Sequence, residues 1–401
     1  MATYSKSKFS KIEWSFTLIC FVCTFIYVMI VPFAPRYLSE IYNVSDVEIT
    51  RHFGLIYFLG TASTVVLGIL IDKYDIYKIL LVSSLVFVFF PVTVVLDLNY
   101  HFILLTIFLV FSAKNAIYLS IVYFIFKSYE QHESNFFNSI IYAVSNLAMF
   151  FTPMLHVFIG SDLFYVVSIV TILTLLLCFL IVKGFSDRST FPSGKSTATT
   201  VDQNERIHMA LPKGVVTIIG IGLCYSLIYN NLYVTIPLNT PDAKIFDFSV
   251  YPILLSINGL LVFFLQFLYI KLNRVYDQST VLGIGVLLLF ACFPFLFYQK
   301  SAIYLISFIL VFTVAEALIE PAKTALLNRF STKRSRGFNN ALSIGTGCVS
   351  GLGIYVSGLI INSYGFDGGV VFWMLISLMM SILALFCINL VNQERRVNYE
   401  T

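Results

Sequence analysis

Residues 102–126 read FILLTIFLVFSAKNAIYLSIVYFIF, and Lys114 is the single charged residue of this run. About 20 mainly apolar residues are enough to cross the hydrocarbon core of a bilayer as an α-helix. A charge inside such a helix is costly and is therefore a functional candidate. The stretch predicts a transmembrane helix with one exceptional position.

The whole chain, like this stretch, is rich in apolar residues and poor in charged ones. Of its 401 residues, 58% are hydrophobic and 11% are charged, whereas soluble domains carry about 25% charged residues. A soluble fold of this composition would expose large apolar patches. The formal net charge of +4 comes without a basic stripe of interleaved aromatic residues, so we expect a lipid bilayer as partner and no nucleic acid.

Twelve apolar segments can be drawn, and with the internal repeat described below they predict an all-α integral membrane protein with two pseudo-symmetric six-helix bundles. The segments span residues 14–38, 47–71, 76–96, 102–126, 134–159, 162–183, 213–238, 248–271, 279–298, 302–328, 337–363 and 368–390. We expect an N-terminal bundle at residues 1–183, a cytoplasmic linker at 184–212 and a C-terminal bundle at 213–401. The linker is rich in Ser and Thr, as flexible linkers are.

Charge placement and internal similarity give the topology. With both termini in the cytoplasm, about 20 of the 25 Lys and Arg residues fall on the cytoplasmic side, as the positive-inside rule predicts. Phe137-Asn138, which opens the fifth segment, matches Phe338-Asn339, which opens the eleventh. Such symmetry is typical of transporters built from related halves. We therefore expect a multi-pass protein of the cell membrane.

The loop after the second segment reads GILIDKYDIYK, from Gly68 to Lys78. It resembles the signature loop of the major facilitator superfamily, with Asp72 and Lys73 at motif positions and Asp75 where the family usually has a second glycine. The resemblance implies a secondary active transporter that works by alternating access. In the family this loop latches the two bundles on the cytoplasmic side, which makes Gly68, Asp72, Lys73 and Lys78 gating candidates.

The first segment ends with Pro32-Phe-Ala-Pro35, which resembles the paired-proline motif of the drug:proton antiporters in this superfamily. The resemblance implies proton-coupled efflux. Two positions depart from it. Phe108 stands where the exporters usually carry a buried arginine, and only Pro153 remains of the glycine-rich motif in the fifth helix. These departures leave a solute:proton importer as the alternative.

Three ionisable residues lie inside predicted helices, namely Lys114, Glu316 and Glu320. The resemblance places the fourth and tenth helices at the central cavity, and the repeat puts Lys114 and Glu316 at a similar depth. We hypothesise that these two form a pair that is made or broken as the halves move. Glu316 and Glu320 share a helix face, and burial would let one of them hold a proton near neutral pH. Lys323 could instead neutralise Glu320 as a fixed structural pair.

Further cavity candidates are polar residues in apolar surroundings. These are Tyr225, Tyr229 and Asn230 in the seventh segment, Asn146 in the fifth and Arg36 at the outer mouth. An Asn in an apolar span can bind a solute or another helix, and the sequence leaves both readings open. The histidines are scattered without the spacing of metal ligands, and no nucleophile–base cluster is apparent. We expect no metal, no cofactor and no enzymatic activity.

Together these features predict a monomeric secondary active transporter of a small organic solute, with protons as the coupling ion and efflux as the direction. Both charge signs near mid-membrane favour a zwitterionic or anionic solute, such as a siderophore-like metabolite, although an amphipathic drug also fits. A non-transporting membrane receptor is the less favoured reading, because it would call for a signalling domain that we do not expect here.

Overall fold

The computed structural model describes most of the predicted helices. It covers residues 11–71, 74–129, 131–159, 163–184, 213–229, 248–272, 275–292, 302–330 and 336–356, together with residues 234, 244–245, 295, 358–359, 378, 381–385 and 388. Within these residues, seven spans are long and apolar enough to cross a membrane. The predicted multi-pass helical fold is therefore confirmed. The count of twelve stays a prediction, because most of residues 368–390 lies outside the described part.

The described elements follow the predicted order along the chain. The first half contains α1 Lys11–Ile30, α2 Ala34–Tyr42, α3 Asp46–Ile71, α4 Ile76–Val86, α5 Phe89–Val95, α6 Tyr100–Ser128, α7 Gln131–Ile159 and α8 Leu163–Gly184. The second half contains α9 Lys213–Tyr229, β1 Lys244–Ile245, β2 Phe248–Ser249, α10 Val250–Leu272, α11 Gln278–Cys292, α12 Ala302–Phe330 and α13 Arg336–Gly345. A further helix, α14, spans residues 348–356.

Two predicted segments, 14–38 and 76–96, are each divided into two helices. A turn at residues 31–33 separates α1 from α2, and Pro32 lies in that turn. Because proline has no amide hydrogen, it cannot continue the hydrogen-bond ladder of α1. In the second case Pro91 lies in the first turn of α5, where a missing amide hydrogen is tolerated.

A short antiparallel hairpin between α9 and α10 departs from the purely helical prediction. Lys244 pairs with Ser249, and Ile245 pairs with Phe248. Two residues connect the strands, which is the length of a tight hairpin. The pairing is too short to be recognised from periodicity in the sequence.

Two close helix contacts join the first half of the chain to the second. A Cβ atom on Gly259 of α10 would lie 2.6 Å from the carbonyl oxygen of Asn146 in α7. Gly54 of α3 and Gly351 of α14 face each other in the same way, since a Cβ atom on either would collide with the backbone of the other. Small residues permit such contacts between membrane helices. The first contact positions the polar residues described next.

Candidate functional site

Glu316 lies in the middle of α12 with 1% of its surface exposed, and three neutral donors hold its carboxylate. Oε1 accepts hydrogen bonds from the hydroxyl groups of Tyr142 at 3.0 Å and Tyr229 at 2.9 Å. Oε2 accepts one from Nδ2 of Asn258 at 2.8 Å. We call these four residues the Glu316 cradle. A tyrosine hydroxyl can donate to a carboxylate or accept from a carboxylic acid, so the cradle accommodates both protonation states.

Neighbouring side chains hold the cradle in place. Nδ2 of Asn258 also donates to Oγ1 of Thr313 at 3.0 Å, one turn before Glu316. The ring of Tyr229 stacks on Phe312 at 5.9 Å and lies 5.3 Å from Tyr225. The cradle therefore joins α7, α9 and α10 to α12, and a change at Glu316 acts on four helices.

Two buried amide oxygens, one within the cradle and one in a residue close to it, are available as hydrogen-bond acceptors. Asn146 is one turn after Tyr142 on α7, and its Nδ2 donates to the Tyr142 carbonyl at 2.8 Å. Within the described residues, Oδ1 of Asn146 and Oδ1 of Asn258 have no hydrogen-bond partner. An unpaired buried acceptor costs about 1–3 kcal/mol. These oxygens are therefore suited to receive N–H donors from a bound solute.

Lys114 lies on α6 between two aromatic rings. Its Nζ is 5.2 Å from the ring centre of Tyr27 and 5.7 Å from that of Tyr118, which stabilises a cation through the ring faces. Among the described residues, no carboxylate lies within ion-pair distance of it. The hypothesised pair with Glu316 is not formed in this conformation. Whether it forms as the halves move stays a prediction.

Glu320 has a different partner from Glu316. Its Oε1 lies 2.8 Å from Nζ of Lys323, and the two side chains are 27% and 8% exposed. The Lys323 ammonium also lies 5.4 Å from the ring centre of Tyr225. The alternative prediction, a Lys323–Glu320 pair, is confirmed. Within the described part of the chain, Glu316 and Glu320 share a helix but no side-chain hydrogen-bond partner.

The other predicted residues are dispersed. Arg36 is exposed on α2 and is not part of the cradle. Asn230, Asp72 and Lys73 lie outside the described residues, so nothing tests them. Two described residues of the signature loop are Gly68 at the end of α3 and Lys78, which is exposed on α4.

Asp75, the departure from the signature loop, has a local role. It is the N-cap of α4, and its Oδ1 accepts a hydrogen bond from the backbone amide of Tyr77 at 3.0 Å. Aspartate is a favoured N-cap because it satisfies a free amide at the helix start. Asp75 therefore fixes the start of α4, at a position where a glycine would make the backbone more flexible.

Sequence reasoning missed four residues of this region, Tyr27, Tyr118, Tyr142 and Asn258. Asn258 carried a usable signal, because it is the one amide in the apolar run YPILLSINGLLVFF at residues 251–264. The tyrosines carried little signal, because the chain contains 24 of them. Their roles depend on which helices meet in space.

The comparison with protein families gives the class of this protein. The sequence model of the Major Facilitator Superfamily matches residues 16–268 and 218–400. The chain belongs to the Major Facilitator Superfamily, and it is a multi-pass membrane transporter. No curated protein matches the sequence.

Solved structures of transporters share the fold. The human organic anion transporter MFSD10 (TETRAN) is 13% identical with a TM-score of 0.73, covering 93% of this chain and 99% of that one. A mutant of the peptide transporter POT in complex with alafosfalin is 11% identical with a TM-score of 0.73, covering 95% and 94%. The POT family transporter PepTSo is 14% identical with a TM-score of 0.70, covering 98% and 99%. At these identities the likeness establishes the fold alone.

Proposed function

We propose that this protein is a proton-coupled carrier of a small anionic or zwitterionic solute. Glu316 carries the proton and Lys114 binds the negative group of the solute. The observation that supports this most is the contrast between the two residues. Among the described residues, Glu316 is a buried acid held by neutral donors alone, and Lys114 is a cation without a carboxylate partner.

The charges of the site link the proton to the solute. Glu320 and Lys323 compensate each other at 2.8 Å, so Lys114 and Glu316 determine the net charge. That charge is zero when Glu316 is ionised and +1 when it is protonated. Because an uncompensated charge in a membrane interior is costly, a monoanionic group binds most favourably when Glu316 holds a proton. The solute and the proton then bind cooperatively.

A solute that also carries an amino group can bind to two buried amide oxygens of the site as well as to Lys114. The acceptors among the described residues are Oδ1 of Asn258, whose amide nitrogen binds Glu316, and Oδ1 of Asn146, one turn from Tyr142 of the cradle. An amine or amide of the solute can donate to them while its carboxylate contacts Lys114. The structural neighbours that are an organic anion transporter and a peptide transporter support this class of solute.

For the direction of transport, the charge argument favours import together with protons, because the proton and the solute bind to the same state, and the loss of the glycine-rich motif around Pro153 agrees with it. Efflux in exchange for protons, which the paired prolines Pro32 and Pro35 predict, is the alternative, and it would require that the proton and the solute exclude each other. We further propose that the protein is a monomer in the cell membrane with both termini in the cytoplasm. The two six-helix bundles rock around the site during transport.

Flux measurements in liposomes test this function. Purified protein is reconstituted with an imposed pH gradient and offered a panel of dipeptides, organic anions and amphipathic cations. We expect pH-driven flux of an anionic or zwitterionic compound, and the sign of the effective gradient gives the direction. Flux that is confined to cations, or that ignores the gradient for every transported compound, would contradict the proposal.

A further inference from the structure

The two tyrosines of the Glu316 cradle make the same hydrogen bond from different halves of the chain. The hydroxyl groups of Tyr142 and Tyr229 donate to the same oxygen, Oε1, at 3.0 Å and 2.9 Å, and both side chains are partly exposed. Tyr229 ends α9, which is in the same half of the chain as Glu316. Tyr142 is on α7 in the first half, so its hydrogen bond connects the two halves.

Protonation of Glu316 changes the strength of both hydrogen bonds. An ionised carboxylate accepts charge-assisted hydrogen bonds, which are roughly twice as strong as those between neutral groups. Both tyrosine bonds therefore weaken when Glu316 takes up a proton. For Tyr229 this alters a contact within one half, whereas for Tyr142 it loosens a contact between the halves. The third donor, Asn258 on α10, is also in the second half.

A second contact between the halves lies one turn from Tyr142, and it does not depend on charge. A Cβ atom on Gly259 of α10 would lie 2.6 Å from both the Asn146 carbonyl oxygen and the Phe150 nitrogen of α7. The two helices thus approach through backbone atoms, which do not titrate. Nδ2 of Asn146 also donates to the Tyr142 carbonyl at 2.8 Å. A charge-independent crossing and a charge-dependent hydrogen bond therefore lie side by side on α7.

The titratable side chains that contact Glu316, within the described part of the chain, are Tyr142 and Tyr229. On α12 itself, Glu320 is paired with Lys323 at 2.8 Å, and α11 carries no charged residue. The charged residues and histidines of the other helices that pack against α12 lie near helix ends, namely His132, Glu133 and His156 of α7, Lys213 of α9, Lys271 of α10 and Arg336 of α13. Glu316 is therefore the charge to which Tyr142 responds.

We propose that Tyr142 is the positioning residue that transmits the charge of Glu316 to the first half of the chain. Ionised Glu316 holds α7 against α12 and favours the conformation of this structure. Protonated Glu316 releases the Tyr142 hydroxyl, and the equilibrium shifts towards a conformation in which the halves have turned about the crossing of α7 and α10. This inference rests on the proposed role of Glu316 as the proton carrier, and it names the contact through which the proton acts.

Distances between spin labels test this inference without any solute. Lys183 near the end of α8 and Lys271 near the end of α10 are both exposed, and one lies in each half of the chain. Replacing both by a genetically encoded ketone residue provides the attachment points, so the native cysteines are not used. Double electron–electron resonance of the protein in liposomes, recorded over a pH series, then gives the populations of the distances between the halves.

In the wild-type protein we expect the ratio of two distance populations to change about fivefold or more over the pH series, which is within the usual range of allosteric coupling. The population that matches this structure should grow as the pH rises, because ionised Glu316 holds Tyr142. Tyr229→Phe, the matched control, should keep the size of the change, whatever its midpoint. Tyr142→Phe should lose most of the change, and Glu316→Gln should lose all of it. If Tyr142→Phe does not fold, Tyr142→Leu carries the same test, since it also lacks the hydroxyl.

Equal pH responses in Tyr142→Phe and Tyr229→Phe, whether kept or lost, would overturn the inference. The same holds for a wild-type protein without a pH response and for a response that survives in Glu316→Gln. Because no solute enters the measurement, its outcome is separate from that of the flux experiment. If flux ignores the pH gradient while the pattern of distances holds, the proposed carrier function is wrong and the role of Tyr142 stands.

Discussion

Glu316 and Glu320 lie one turn apart on α12, and their surroundings are opposite. Glu316 is 1% exposed and accepts hydrogen bonds from three neutral donors on three other helices. Glu320 is 27% exposed and pairs with a cation on its own helix. The comparison teaches that helical spacing puts two acids on one face, but the partners decide which of them can change its charge.

Replacing each acid by its amide is the sharpest test of this contrast. Glu316→Gln should reduce pH-driven flux to the level of protein-free liposomes, because the amide cannot carry a proton. Solute exchange without a gradient should persist, since the cradle can still hydrogen-bond to Gln. Glu320→Gln combined with Lys323→Met removes the compensated pair without changing the net charge, so this double variant is the matched control and should retain pH-driven flux. Equal losses in the two variants, measured side by side in liposomes, would remove the distinction between the acids.

Lys114 provides the next largest effect. Lys114→Met should raise the KM for an anionic solute about 10- to 100-fold, because a hydrogen bond to a charged group contributes about 1.5–3 kcal/mol. Lys114→Arg should retain part of the affinity. Lys271→Met, at an exposed position of α10, is the control. An unchanged KM in Lys114→Met would show that the solute's negative group binds elsewhere.

Sequence alone predicted the membrane class, the family resemblance and the two acids, because charges in apolar runs are conspicuous. It also offered the Lys323–Glu320 pair, since residues three apart on a helix are neighbours. It could not find Tyr142 or Asn258 as partners of Glu316. Those contacts join helices far apart in the sequence, and they depend on how closely α7 and α10 approach.

The close approach of α7 and α10 depends on Gly259, which follows Asn258 of the cradle in the sequence. Gly259→Ala would place a Cβ atom 2.6 Å from the Asn146 carbonyl oxygen and the Phe150 nitrogen. We expect a loss of about 1–3 kcal/mol of stability, as for overpacking, together with weaker proton coupling. Gly220→Ala on α9 is the control, because its Cβ atom would meet nothing within 4 Å. Thermal melting of both variants in detergent measures the difference, and similar melting temperatures would argue against the close contact.

A smaller effect on stability is expected at the backbone of α12, where the carbonyl of Ala317 lies between the two acids. Pro321 has no amide hydrogen, so the carbonyl of Ala317 loses its helical donor. Nε2 of Gln266, which is buried in α10, donates to that carbonyl at 3.3 Å. Gln266→Leu should therefore destabilise the protein by about 1 kcal/mol.

Pro321→Ala gives the matched background for this prediction, because it restores the backbone donor. In that background Gln266→Leu should be nearly neutral, and the difference between the two backgrounds is the coupling energy of a double-mutant cycle. The four proteins can be compared by thermal melting. Additive effects would show that Gln266 does not compensate for the proline.

The most direct test of the central claim is to observe the carboxyl group itself. Infrared difference spectra of the reconstituted protein, recorded across a pH step, report the carbonyl band of a protonated carboxylic acid. We predict a band that changes with pH in the wild type and in Glu320→Gln and is absent in Glu316→Gln. A band that survives in Glu316→Gln and disappears in Glu320→Gln would assign the proton to the other acid and contradict the account.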